Sequence, residues 1–228
     1  VPPPTPDGAD QYFAASPTVA SSPRQVDLVL PEGELIHLTT DAGVFSAERV
    51  DPGTRALLVE GPPLPVDRPA VLADVGCGYG AIAVALARRA GPDSTIWAVD
   101  VNERARDLCR TNAEANDVAD RIRVVAPHEV PADLVLDQLW SNPPIRVGKV
   151  ALHDLLGTWL VRLRPGIGTA ALVVQKHLGA DSLVRWLDTE GWPTERRASR
   201  SGYRILSVGP RSNADTSGAP AHAQEGVS

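Results

Sequence analysis

With 228 residues, 43% of them hydrophobic, the chain can bury a core as one ordinary domain with a small appendage, which excludes a disordered protein. A net charge of −6 argues against an indiscriminate nucleic-acid binder, whose affinity rests on phosphate attraction, though it leaves room for a local basic face. No apolar run approaches the ~20 residues of a membrane span, and V-P-P-P-T-P-D-G-A-D lacks the layout of a signal peptide, so a soluble, cytoplasmic protein is expected.

Taken in chain order, residues 1–24 are rich in Pro, Ser and Ala without periodicity and are expected to be a disordered tail, as are residues 210–228. Val26 to Leu30 and Leu35 to Thr39 read as two strands joined by P-E-G-E, a hairpin. Asp51 to Glu60, an Asp before Pro and then apolar residues, has the N-cap and first turn of a short helix. Residues 25–60 therefore form a hairpin-and-helix extension to a main domain over 61–209. There, strands at Val71 to Val75, Thr95 to Val99, Ile122 to Val125, Leu134 to Leu139, Thr169 to Val174 and Tyr203 to Val208 alternate with helices. The helices are Gly80 to Ala90, Glu103 to Asn116, Val150 to Leu163 and Ser182 to Asp188. This order predicts an α/β fold, an open and mostly parallel sheet with helices on both faces and ligands beyond the carboxyl ends of the strands.

The first strand runs into D-V-G-C-G-Y-G, Asp74 to Gly80. Glycines at 76, 78 and 80 allow a tight turn and close approach of backbone to a ligand. By spacing, Gly76, Gly78 and Ala81 also satisfy a dinucleotide pattern. Asp74 separates the readings: a carboxylate before the first glycine repels a pyrophosphate but accepts hydrogen bonds from an ammonium group, as on the methionine part of S-adenosylmethionine. Asp100, ending the second strand, suits ribose hydroxyls in either ligand. Further on stands W-S-N-P-P-I-R-V-G-K, Trp140 to Lys149, a rigid non-regular turn carrying the amide of Asn142. Cys77 and Cys109 have no metal spacing and read as buried free thiols; the five histidines give no metal site. Lys149 and Lys176 are the only lysines, and abundant Arg, Ala and Pro suggest a high-GC bacterial genome.

D-V-G-C-G-Y-G, V-D-V-N and S-N-P-P in this order resemble the class I S-adenosylmethionine-dependent methyltransferases, specifically the small methyltransferase domain of the ribosomal RNA small subunit methyltransferase C family. T-D-A-G-V-F-S and V-D-P-G-T-R-A-L-L, between Thr40 and Leu58, are similar to the segment before its cofactor loop. I-R-V-G-K and V-V-Q-K-H-L-G-A-D-S-L resemble its single-domain branch, and the likeness spans about residues 11 to 209. The resemblance implies a Rossmann-like, seven-stranded sheet closed by a C-terminal antiparallel hairpin. It implies S-adenosylmethionine bound by Asp74, Gly76, Cys77, Gly78, Gly80, Asp100, Val101, Asn102 and Asn142, with no metal.

In such amino-methyltransferases the Asn side-chain oxygen and the carbonyl of the next Pro accept hydrogen bonds from an exocyclic NH2. The resemblance thus makes Asn142 the catalytic residue, Pro143 its backbone partner, and Pro144 and Ile145 the rest of the turn. Ile145 stands where the family often has Phe or Tyr to stack on a base, so stacking has to come from elsewhere. Where an Asp commonly holds the adenine amine, A-P-H-E places His128 or Glu129. Arg146 either lays its guanidinium on a base or is a solvated charge, and Lys149, Lys176 and His177 join it near the predicted active face. Arg196, Arg197, Arg200 and Arg204 on the C-terminal hairpin either contact RNA phosphates or line a solvated edge strand. The implied reaction is methylation of an exocyclic nitrogen, guanine N2 of 16S ribosomal RNA first, with ribosomal RNA or a ribosomal particle as partner. Adenine N6 and the side-chain amide of a glutamine are the alternative acceptors, and a cofactor-binding module without catalysis is the alternative class.

Overall fold

The computed structural model describes residues 19–144 and 147–211; Ile145, Arg146 and the predicted tails over 1–18 and 212–228 lie outside the described residues. Arg24, assigned above to the tail, instead opens β1 (Arg24–Val29), which pairs antiparallel with β2 (Leu35–Thr40). Ser21 Oγ donates to Asp41 Oδ2 at 2.7 Å, and Ser22 N–H donates to Oδ1, so the chain is tied down before the hairpin starts.

Helix α1 (Pro52–Glu60) begins as its sequence dictates: Asp51 Oδ2 accepts from Thr54 N at 3.0 Å and Pro52 occupies the first turn. The main sheet contains β3 (Val71–Val75), β4 (Thr95–Val99), β5 (Ile122–Val125), β6 (Gln138–Ser141), β7 (Thr169–Gln175), β8 (Thr194–Arg200) and β9 (Tyr203–Val208). Their order is β5-β4-β3-β6-β7-β9-β8, with β3 to β7 parallel and β9 antiparallel to both β7 and β8. Sheet order runs outward in one direction from β3 to β5 and in the other from β6, so the crevice between β3 and β6 is the topological switch point.

Two apolar layers cover the sheet. On one face α2 (Ala81–Arg89), α3 (Glu103–Ala115) and α1 pack with the β1–β2 hairpin; on the other lie α4 (Lys149–Leu160) and α5 (Ala180–Thr189). Helix α2 is buried from Ala81 to Ala87, its alanines alternating with Ile82, Val84 and Leu86, and it packs on β3 and β4 and against α1 and α3. The regular ladder of β6 starts later than the apolar run Leu134 to Leu139 suggests. Leu136 instead pairs with Leu163, just after α4, and the strand proper carries Trp140 and Ser141 to the switch point.

Asp137 anchors the opposite end of the sheet. Its buried carboxylate accepts from Val71 N at 2.8 Å, Arg164 Nε at 2.9 Å and Arg68 Nη2 at 3.2 Å. Burial pushes its pKa up, but Arg164, Val71 N–H and Arg68 outweigh that and hold it below the usual carboxylate range. Both arginines are half-exposed, so Asp137→Ala should cost about 1–3 kcal/mol, mainly through the Val71 N–H left without its acceptor. A folded pKa below the unfolded one contributes stability that is lost as pH falls, so urea midpoints of wild type and variant should converge below about pH 4. A gap that stays constant well below about pH 4 would contradict the assignment.

Candidate active site

A cavity of about 650 Å³ opens at the switch point. Its floor is the glycine loop after β3, where Gly76 at φ 77° and Gly78 at φ 53° take left-handed backbone; Gly78 N donates to Asp100 Oδ2 at 2.9 Å. Val99, Asp100 and Val101 wall it on the β4 side, and Pro127 on the β5 side. Asp100 Oδ1 accepts from Asn102 N at 2.9 Å. Burial raises the Asp100 carboxyl, with the N–H groups of Asn102 and Gly78 opposing it.

Past β6, Ser141 Oγ donates to Val75 O at 2.6 Å, clamping the N-P-P turn against the glycine strand. Asn142 Nδ2 then donates to Asp51 Oδ2 at 2.9 Å and to Thr54 Oγ1 at 3.1 Å. Both amide N–H bonds are thereby used, and the side-chain oxygen is the group left to accept from a ligand. Asn142, Pro143 and Pro144 all line the cavity.

Other predicted contacts fall elsewhere. Asp74 is fully buried behind the loop, where Oδ2 accepts from Ala83 N at 2.9 Å in the first turn of α2; it is not among the residues that line the cavity, and its Oδ1 is buried without a hydrogen-bond partner. Strand pleat is the reason: Leu72 and Asp74 face α2, whereas Ala73 and Val75 face the other layer. Cys77 and Cys109 are buried, and contact with the Cys109 thiol, then burial, push the Cys77 thiol well up. Gly80 serves helix packing rather than ligand approach, since a Cβ there would lie 2.6 Å from Cys109 Sγ. Asn102 caps α3 by accepting from Ala105 N at 3.2 Å and donates to Gly43 O at 3.0 Å; it too lies off the lining.

His128 and Glu129 are exposed beside Pro127, and Glu129 closes on Ala126 N at 2.6 Å, so neither reaches the cavity. Lys149 and Lys176 are exposed, one opening α4 a few residues past the N-P-P turn and the other directly after Gln175, a lining residue; neither lines the cavity itself. The hairpin arginines are engaged within the fold. Arg196 and Arg204 meet Asp181, and Arg197 and Arg200 meet Glu60.

Residues given no site role above also line the wall: Phe45, Asp51, Trp159 and Tyr203. Phe45 is 45% exposed, an aromatic face available to a flat ligand in place of the ring missing at position 145. Among the described residues no cluster of His, Cys, Asp and Glu is suited to a metal ion, and no helix is long and apolar enough to cross a membrane. S-adenosylmethionine fits the remaining donor set: left-handed glycines leave backbone open on the floor, Asp100 stands at the ribose position of a strand-end site, and Val101 and Pro127 offer apolar contact.

The family model for the methyltransferase small domain matches residues 35–207. An uncharacterised Bacillus subtilis protein, YbxB, is 33% identical over 203 residues, covering 88% of this chain and 98% of that protein. Ribosomal RNA small subunit methyltransferase C of Shewanella loihica is 30% identical over 188 residues, which is 79% of this chain and 53% of that protein. A solved T. thermophilus 16S rRNA N2 G1207 methyltransferase (RsmC), in complex with AdoMet and guanosine, superposes with a TM-score of 0.70 at 24% identity, over 86% of this chain and 52% of that one. The chain thus spans nearly all of the Bacillus protein but about half of the other two.

Proposed function

The chain belongs to the methyltransferase small domain family, and from that premise we propose that it transfers the methyl group of S-adenosylmethionine to guanine N2 of small-subunit ribosomal RNA. The observation that carries the chemistry is the Asn142 oxygen, held as an acceptor at the cavity wall beside the glycine loop. An exocyclic amine is planar and weakly nucleophilic because its lone pair is delocalised into the ring. Accepting its N–H bonds at the Asn142 oxygen and the Pro143 carbonyl fixes the nitrogen and favours the pyramidal geometry it needs as it becomes positive. Bound S-adenosylmethionine supplies an electrophilic methyl on a sulfonium. With that methyl taken up by the nitrogen held at Asn142 and Pro143, a neutral thioether would be left on the cofactor and the amine would shed one proton to solvent.

Support for a nucleobase over an aliphatic amide comes from Phe45 and Tyr203, two rings on the cavity wall. Lys149 and Lys176, exposed at the start of α4 and just past β7, are assigned to RNA phosphate. On a chain of net charge −6 they leave little long-range attraction, so a folded RNA within a ribosomal particle is the partner this reading selects. Offered labelled S-adenosylmethionine with small-subunit particles, naked ribosomal RNA and translation factors in parallel, the protein should label guanine N2. Lys149→Glu and Lys176→Glu should each impair RNA labelling without changing S-adenosylhomocysteine affinity. Label only on adenine N6 or on a protein glutamine would replace the acceptor, and unaltered labelling in both lysine variants would remove them from the RNA contact.

A further inference from the structure

A primary amide is nearly symmetrical in shape, with an acceptor on one side and donors on the other. Turned over, the Asn142 side chain would present N–H groups to the N–H groups of an incoming amine and could not orient it. Something has to choose the rotamer. Asp51 is 91 residues away in sequence, yet its Oδ2 lies 2.9 Å from Asn142 Nδ2. An ionised carboxylate only accepts, so it tolerates the NH2 side and repels the oxygen; Thr54 Oγ1, at 3.1 Å, takes the second N–H.

The pair that holds Asn142 is itself immobile. Asp51 is the N-cap of α1, accepting from Thr54 N at 3.0 Å. Packing leaves no slack around it: a Cβ on Gly53 would fall 2.7 Å from Asp51 Oδ2 and 2.7 Å from the Tyr203 ring. Helix α1 rests on β7 and β9, two strands of the sheet that also carries β6 and its N-P-P turn. Asp51 and Asn142 are therefore fixed to one rigid body.

We propose that Asp51, assisted by Thr54, is a positioning residue that locks the Asn142 amide with its oxygen toward the acceptor nitrogen and places negative charge behind that oxygen. The inference rests on the methyltransferase reading above. The charge has a use in the reaction: as the acceptor nitrogen becomes positive, a carboxylate bonded to the far side of the amide polarises its oxygen and strengthens the bond to the reacting amine.

Two substitutions separate this role from helix capping. Asp51→Ser keeps a capping oxygen for Thr54 N but is too short to reach Asn142; Asp51→Asn keeps the cap and an acceptor toward Asn142 but loses the charge. Both should retain the wild-type melting temperature within a few degrees and bind S-adenosylhomocysteine unchanged. Asp51→Ser should lower kcat about ten- to a hundredfold with little change in KM, and Asp51→Asn should recover part of that loss. Because Asp51 acts through Asn142, adding Asp51→Ser to Asn142→Ala should produce no further loss. Unchanged kcat in Asp51→Ser, or additive losses in the double variant, would overturn the proposal. A readout independent of turnover is the Asn142 side-chain NH2 in a nitrogen-15 correlation spectrum: slow to exchange in the wild type and fast in Asp51→Ser. Slow exchange persisting in Asp51→Ser would sink the positioning role even were the acceptor misassigned, whereas a wild type that methylates nothing offered, with the NH2 signature intact, would sink the acceptor alone.

Discussion

Asn142→Ala should leave S-adenosylhomocysteine affinity nearly unchanged and lower turnover about a hundredfold or more. The side chain lines the cavity and spends both N–H bonds on Asp51 and Thr54, leaving its oxygen as the acceptor, so truncation removes one oriented acceptor without disturbing the glycine loop. Losing a single pre-aimed transition-state hydrogen bond typically costs about 10²–10³ in kcat. The turn itself should persist, because Pro143 and Pro144 restrict the backbone and Ser141 Oγ still bonds Val75 O. Asn142→Asp is the sharper variant. It retains an acceptor toward the amine but sets a second carboxylate against Asp51 across a 2.9 Å contact, and two anions at that range cannot both stay ionised. Activity should therefore be as poor as in Asn142→Ala and recover in part when Asp51→Asn removes the opposing charge. Single-turnover transfer of labelled methyl measures each case; full activity in Asn142→Ala would falsify the catalytic role of the turn.

The parts of this site that were legible in the sequence are those imposed by backbone chemistry. Gly76 and Gly78 announce left-handed turns, the two prolines announce a rigid exit, and Asp100 ends an apolar strand at a site where a polar side chain needs a reason. Asp51 was legible only as a helix cap. That reading is correct, yet the same Oδ2 also reaches Asn142, a contact that follows from α1 packing on the sheet and leaves no trace in local pattern. Phe45, Trp159 and Tyr203 were missed for the same reason: each sits in a segment with an ordinary local explanation and meets the cavity only through tertiary contacts. Gly80 was counted with its loop although its close approach is to Cys109. Asp74 shares its strand parity with Leu72, so pleat turns it toward α2, a placement that motif position alone does not give.

Asp74→Asn should make the protein more stable than wild type at alkaline pH, by up to about 5 kcal/mol. Complete burial drives the Asp74 carboxyl up to about 8; the Ala83 N–H opposes this, and the nearby Asp100 charge adds to it. Its other oxygen, Oδ1, is buried without a hydrogen-bond partner, which also disfavours the ionised form. A folded pKa raised above the unfolded value of about 4 means that the stability present at pH 4 is lost as pH rises toward 8, at about 1.4 kcal/mol per unit, and levels off above it. An amide has the shape of the neutral acid, keeps the acceptor for Ala83 N and never ionises, so it removes the slope. Urea midpoints of the two proteins should lie close together at and below about pH 4, diverge in favour of the variant up to about pH 8, and run parallel beyond it. Parallel curves over the whole range would mean that Asp74 is already ionised in the free protein. The same residue then offers a test of its relation to the ligand. A cation brought near it would draw off its proton, so S-adenosylhomocysteine binding at pH 7 would release protons in the wild type but not in Asp74→Asn, seen by calorimetry in buffers of different ionisation heat. Binding without proton release would confine Asp74 to holding α2 beneath the loop, the role its bond to Ala83 gives it.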